Sequence, residues 1–289
     1  MLNLSLAPDR EALEKLIKDD INSWCEKEYL QGHRDHLGAS LMGDQCSRKL
    51  WYNFHWCKAE KFSGRMLRLF QVGHKAEERF VTYLRGIGFE VFERDPETNK
   101  QFRISGANGH YGGSLDGQCK APARYNISEN MILEFKTNGT GAGFKNVEKN
   151  DLSKSKPTHF AQMSQYGFKL KLQYGLYLIE NKNDSDLIVK VVKLDWELGQ
   201  YLENKATNII SSKFAPAKIS ENPSYQDCQW CSYSDICHNN APVEINCRSC
   251  KHCEPVEAGE WKCHRWNNIV PKNFLKVGCK EHQSINVNG

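Results

Sequence analysis

Two stretches decide the reading of this chain: Gly113-Ser-Leu-Asp116-Gly117 and Ile132-Leu-Glu134-Phe135-Lys136-Thr137. Each closes an apolar run with a carboxylate, and the second adds a lysine two residues on. In a β-strand, residues i and i+2 point to the same face. Glu134 and Lys136 therefore project together, while Phe135 turns the other way into a core. With Asp116 at the mouth of a neighbouring strand, the three groups converge. Two carboxylates for a divalent cation, with an amine beside them, are the equipment for metal-assisted hydrolysis of a phosphodiester. An Asp before Gly is ordinarily a turn residue, and Glu-x-Lys on a strand is ordinarily a solvated face. The order of the two phrases and the apolar run before Glu134 set them apart.

Around these phrases lie 289 residues, enough for one large domain with an appendage or for two domains. The chain is 39% hydrophobic with a mean hydropathy of −0.65, the balance of a soluble protein with a real core. No apolar run approaches the ~18 residues of a membrane span. The first ten residues, Met1 to Arg10, lack a basic region ahead of their apolar positions and make a poor export signal. The net charge of +4 and pI near 8.4 are compatible with nucleic acid without demanding it. The run from Lys145 to Lys156 is a candidate basic patch, and equally a solvated loop. Of twelve cysteines, eight fall between Cys228 and Cys279, several in C-x2-C units. Closely paired cysteines without an export signal read as metal ligands rather than disulfides, which places the chain in a reducing cytoplasm.

Apolar positions Leu13, Leu16, Ile17, Ile21 and Trp24 follow helical spacing over 9–24. Further helices are predicted over 47–54, about 65–85 (closed by Gly86 and Gly88), 158–170 and about 196–212. Strands are predicted at 89–94, 101–104, around 114–116, and at 131–137, 174–179 and 187–194. The polar, glycine-punctuated stretch 139–157 reads as a mobile loop, and Ala215-Pro216 and Ala241-Pro242 as joints. The order implies an α/β fold: a mixed central sheet flanked by helices, over residues 1–240, with a small cysteine-rich module over 241–289.

The ordered set of motifs resembles the PD-(D/E)xK nucleases, specifically their RecB-like exonuclease branch with its restriction-endonuclease-like core. Besides Asp116 and Glu134-x-Lys136, Val72-Gly-His74-Lys-Ala-Glu-Glu78 lies upstream, where the branch carries a metal-binding histidine. Downstream, Gln162-Met-Ser-Gln-Tyr166 fits the branch's Q-x3-Y signature. Its i, i+4 spacing puts both side chains on one helix face, to meet the substrate backbone or to brace the site. The resemblance covers scattered motifs from Cys46 to Cys237. It implies Mg²⁺ or Mn²⁺ held by His74, Asp116, Glu134 and the Phe135 carbonyl, imidazole suiting Mn²⁺ better than Mg²⁺. Lys136 would orient the attacking water or stabilise developing charge.

Cys46, together with Cys228-x2-Cys231-x5-Cys237, is similar to the iron–sulfur arrangement of AddB-type and CRISPR-associated RecB-like nucleases. That likeness implies a [4Fe–4S] cluster stapling the ends of the domain, with four-thiolate zinc as the alternative. For the C-terminal module, Cys247, Cys250, Cys263 and Cys279 are the expected zinc ligands. Cys253, His252, His264 or His282 could replace one of them. Fewer than 50 residues can hardly build a core alone, so a structural metal is the expected staple, with Trp261 and Trp266 packed beneath. Cys25, Cys57 and Cys119 receive no task.

The resulting expectation is a metal-dependent DNA exonuclease in recombination, repair or CRISPR-related processing, of the kind phages also encode. No G-x4-GK[ST] loop is present, so unwinding would fall to a helicase; a recombinase or CRISPR integration complex is another possible partner. A structure-specific or restriction-type endonuclease on the same fold, a non-catalytic DNA- or protein-binding module, and a cysteine-based redox sensor are the other readings.

Overall fold

The computed structural model describes residues 10–30 and 32–287. The chain opens with α1 (Arg10–Glu28), β1 (Leu37–Gly38), α2 (Ser47–Phe54) and α3 (Gly64–Gly86). Short strands follow: β2 (Glu90–Phe92), β3 (Arg103–Gly106), β4 (Tyr111–Ser114) and β5 (Gly117–Lys120), then the long β6 (Met131–Asn138). Next come α4 (Ala142–Lys149), α5 (Leu152–Ser155), α6 (Pro157–Leu170), β7 (Tyr174–Asn181), β8 (Leu187–Lys193) and α7 (Trp196–Ser211). The cysteine-rich end adds α8 (Gln226–Gln229), α9 (Ser234–Asn239), β9 (Cys253–Pro255), β10 (Trp261–Cys263), β11 (Asn268–Val270) and α10 (Lys272–Leu275). Local chemistry explains the main boundaries. The Ser63 and Asp195 side chains accept N–H groups of the first turns of α3 and α7. Pro157 opens α6, where its missing N–H is no loss.

The central sheet has five strands in the order β2-β5-β6-β7-β8, antiparallel except for the parallel pair β6–β7. Helices cover both faces. Leu133 and Phe135 of β6, with Leu176 and Leu178 of β7, pack on Phe80, Val81 and Leu84 of α3. Ile132 of β6 and Tyr177 and Ile179 of β7 turn to the opposite face, with Met163 of α6 and Leu202 and Ala206 of α7. A strand covered on both sides reads as a continuous apolar run, and the first five residues of β6 are all buried. Smaller sheets are β1-β4-β3 and the antiparallel β11-β10-β9. Cys250, Cys253, Trp261, Leu275 and Ile285 of the C-terminal segment join the same buried cluster as Leu50 and Trp51 of α2.

The α/β class, the mixed sheet and its flanking helices stand as expected from the sequence. Three local expectations do not. The stretch 139–157 is not a plain loop, because α4 and α5 form there and bury Phe144, Val147 and Leu152. The strand expected at 114–116 is instead a junction, β4 ending at Ser114 and β5 starting at Gly117. The helix predicted from residue 9 is described from Arg10, and its apolar stripe stays open: Leu16, Ile17, Ile21 and Trp24 are each at least half exposed, while Cys25 is buried. Residues 1–9, on which the reading of the amino terminus rests, lie outside the described set. No helix among the described residues is long and apolar enough to cross a membrane.

Candidate active site

The register of β5 on β6 pairs Gly117 with Leu133, which brings Asp116 alongside Glu134. Asp116 is fastened there by its own side chain, whose Oδ2 accepts the Phe135 N–H at 2.7 Å. Glu134 is wholly buried, and its Oε1 accepts a hydrogen bond from the Lys136 ammonium, as i and i+2 on one face require. Lys136 Nζ also donates to the Phe135 carbonyl at 3.1 Å. Asp116, Glu134 and Lys136 thus meet at one point, and Asp116 and Lys136 line a cleft of about 1060 Å³.

The Q-x3-Y pair braces this point. Gln162 Nε2 donates to Glu134 Oε2 at 3.4 Å and to the Tyr166 hydroxyl at 3.2 Å. Tyr166 in turn donates to the Ser114 carbonyl at 2.9 Å, two residues before Asp116. α6 is therefore tied to both carboxylate-bearing segments. Gly113 makes room for this, because a Cβ there would sit 2.7 Å from the Tyr166 hydroxyl. His159 shares a hydrogen bond with the Tyr177 hydroxyl at 2.9 Å on the cleft wall. Burial and the Lys136 and Lys156 charges pull its pKa down to about 3, so it is a neutral polar group there.

His74 lines the same cleft from α3 with an exposed side chain, and its charge reaches Asp116. One turn on, Glu77 feels Asp116, Glu134 and Lys136 directly. Burial and then the Asp116 charge push the Glu77 carboxyl up to about 7, against Lys136. Sequence reasoning passed over Glu77. The signal available was its i, i+3 relation to His74 in the quoted segment.

The electrostatics describe a site short of positive charge. Burial pushes Glu134 up to about 7 against the pull of Lys136, with Asp116 and Glu77 adding to the push. Burial likewise raises Asp116, although Lys136, the Phe135 N–H and His74 favour its charged form. Burial works against the Lys136 ammonium, yet Glu134 and Asp116 outweigh it and leave its pKa raised. One ammonium thus serves three carboxylates.

The cysteines gather in two places, and all twelve are free thiols. Cys46, at the start of α2, shares a cavity of about 430 Å³ with Cys228, Cys231 and Cys237. Burial raises the Cys228 thiol, and Cys46 and Cys237 add to it. A second, largely apolar cavity of about 210 Å³ is lined by Cys247, Cys250, Cys253, Cys263, Cys279 and His282. Burial and then Cys279, Cys250 and Cys263 push Cys247 up to about 11. His264 instead faces Glu254 at 2.6 Å, and neither it nor His252 lines that cavity. Trp266 lines it with a mostly exposed ring, whereas Trp261 is fully buried against Phe54. Cys25, Cys57 and Cys119 are buried and line neither cavity. Among the described residues, no three or more His, Cys, Asp or Glu side chains are drawn in closely enough to hold a metal ion.

No family model matches the chain, and no curated protein does. Among solved structures it is similar to SSO0001, at 13% identity over 79% of this chain and 99% of that one, with a TM-score of 0.45. It is also similar to LHK-Exo, an alkaline exonuclease from Laribacter hongkongensis, at 16% identity over 64% of this chain and 91% of that one, TM-score 0.39. The complex of LHK-Exo with dAMP aligns over the same shares at 15% identity and a TM-score of 0.41. Likenesses this faint decide nothing about the site, whose chemistry rests on its own residues.

Proposed function

We propose that this chain is a metal-dependent deoxyribonuclease of the PD-(D/E)xK type, in its RecB-like branch, degrading DNA from ends. The observation that carries the reading is the convergence of Asp116, Glu134 and Lys136 at the β5–β6 edge of one cleft. Three carboxylates repelling one another around a single ammonium are the donor set a Mg²⁺ or Mn²⁺ ion relieves. Asp116, Glu134 and the Phe135 carbonyl would hold the ion, with Glu77 or His74 completing the set from α3. Such an ion supplies Lewis acidity toward a phosphate oxygen and acidifies a bound water. Lys136 carries its proton beside that position and steadies negative charge as it develops on the phosphate. Gln162 and Tyr166 keep Glu134 and the Asp116 segment in register, so that neither carboxylate swings out when the phosphate arrives.

We further propose that the two thiol groups, once drawn together, hold two further metals. Cys46, Cys228, Cys231 and Cys237 share one cavity, and four thiolates are the usual ligand set of a [4Fe–4S] cluster. Cys247, Cys250, Cys263 and Cys279 suit tetrahedral zinc in a tight apolar site, with Cys253 and His282 also on its wall. A cytoplasmic protein acting on DNA ends, alongside a helicase, recombinase or CRISPR integration complex, is the setting this chemistry fits.

The test uses anaerobically purified protein with Mn²⁺ or Mg²⁺, and one DNA sequence as an end-labelled linear molecule and as a closed circle. Wild type is expected to degrade only the linear DNA, and Lys136→Ala neither, a loss of at least about 10²-fold. Cutting of the circle by wild type would make the enzyme an endonuclease. Degradation by Lys136→Ala equal to wild type would end the assignment of this site.

A further inference from the structure

The cleft that holds Asp116 and Lys136 has a second wall, and part of it comes from the cysteine-rich segment. Ala258 and Gly259 in the turn between β9 and β10, and Lys272 at the start of α10, line the same cleft as the carboxylates. Arg34 and Arg103 line it as well. Among the described residues, none of these three cations has a carboxylate within ion-pair distance. Of the acidic residues on the lining besides Asp116, Asp44 is already paired with Lys49 at 2.7 Å, which leaves Asp35. His36, between Arg34 and Arg103 on the lining, is lowered by burial and then by Arg103 and Arg34, with Asp35 opposing. Both guanidinium groups thus act on one stretch of the lining without a carboxylate partner.

The segment is locked to this wall rather than loosely tethered. The buried Arg248 guanidinium donates to the Arg34 and Asp35 carbonyls at 3.2 Å each. It lies 4.3 to 4.6 Å from the ring centres of Phe54, Trp56 and Trp261. The ring of His110 bonds the Val256 carbonyl at 2.7 Å, just before the turn. Gly109 and Gly259, both with positive φ, pack backbone to backbone, and a Cβ on Gly109 would lie 2.8 Å from Gly259 N. Side chains at that contact would push the turn off the cleft.

We propose that the cysteine-rich segment is part of the substrate grip: Lys272, with Arg34 and Arg103, binds backbone phosphates of a single DNA strand. The strand would lie along the cleft past the Ala258–Gly259 turn, with a phosphate delivered to Lys136. This rests on the nuclease reading above. Unpaired cations along a cleft that ends at a phosphodiesterase constellation fit a polyanion whose charges repeat. A cleft of about 1060 Å³, slightly above the usual range of about 300–1,000 Å³ for small-ligand pockets, has room for a few nucleotides of one strand.

The experiment measures binding of full-length protein, in the cleavage-dead Lys136→Ala background, to a labelled single-stranded oligonucleotide across a salt series. Lys272→Ala and Arg103→Ala are each expected to weaken binding several-fold. Each should also flatten the dependence of log Kd on log salt by about 0.7, the value for one phosphate contact on a single strand. Lys272→Arg should restore the slope, and thermal midpoints should stay within a degree or two because both side chains are exposed. A merely structural role would shift the midpoint and leave the slope alone. Unchanged affinity and slope in the Lys272→Ala, Arg103→Ala double variant would overturn the inference, as would weakened binding of blunt duplex with single-strand binding intact. If neither the Lys136→Ala protein nor wild type held in chelator binds DNA at all, the nuclease reading itself falls; binding that ignores Lys272 and Arg103 sinks only the grip.

Discussion

Glu77 shows how much a single residue's role depends on what faces it. On α3 it is one of two adjacent acidic residues, half-buried and with no hydrogen bond among the described residues to advertise it. Across the sheet edge it meets Asp116, Glu134 and Lys136, and burial with the Asp116 charge raises its carboxyl to about 7. Replacement by Gln keeps the shape and removes the charge. Glu77→Gln is expected to lower DNA degradation by about 10- to 100-fold at limiting Mn²⁺, with partial recovery at high Mn²⁺. Metal titration of the nuclease rate checks this, and a variant with the wild-type metal requirement would leave Glu77 a structural residue. The exposed His74 is the contrasting case, since its charge reaches Asp116 without the burial that would make removal expensive.

At the level of elements, the end of α2 is the hinge pin between the core and the cysteine-rich segment. His55 follows α2 directly, is buried, and bonds the Arg248 carbonyl through Nδ1 at 2.8 Å. Its ring packs on Trp51 at 4.3 Å and meets Trp261 edge-on. Burial lowers its pKa to about 3, the Arg248 charge adding to this and the Arg248 carbonyl opposing it. The folded protein therefore keeps His55 neutral at a pH where the unfolded chain protonates it at its usual 6.5. Stability from this group is complete above about pH 6.5 and is lost as pH falls toward 3, at about 1.4 kcal/mol per unit. Chemical denaturation of wild type and His55→Phe between pH 7 and 4 is the measurement. The variant is expected to start less stable and to lose less, by a few kcal/mol; parallel profiles would show that His55 does not titrate as the burial implies. At the same joint the buried Arg248 guanidinium faces three rings, and its Nη1 donates to two carbonyls.

Across the whole molecule, the first cysteine group joins α2 to α8 and α9, elements separated by more than half the chain. A metal centre there would close a very long loop and restrict the unfolded chain. Cys46→Ser, purified anaerobically, is expected to lose its visible iron–sulfur absorption and to unfold at a temperature several degrees lower. Equal iron content and an equal midpoint would remove the cluster proposal for this group. The main helices and sheet strands were legible in the sequence because periodicity and capping act within a few residues; the predicted limits of α2, 47–54, are those found. Glu134 and Lys136 were legible for the same reason, as neighbours two apart on one strand face. The helices α4 and α5 were hidden by a polar composition whose few apolar residues, Phe144, Val147 and Leu152, find a core only in three dimensions. Likewise the open stripe of α1 and the wall of Arg34, Arg103 and Lys272 carry no local mark, and Glu77 carries only its i, i+3 relation to His74. The sequence by itself determined the elements and the carboxylate–lysine pair, since both follow from repeat lengths of two and 3.6 residues. Strand register and the docking of the cysteine-rich segment decided the rest, because charges from distant segments interact only where packing holds them a few ångströms apart.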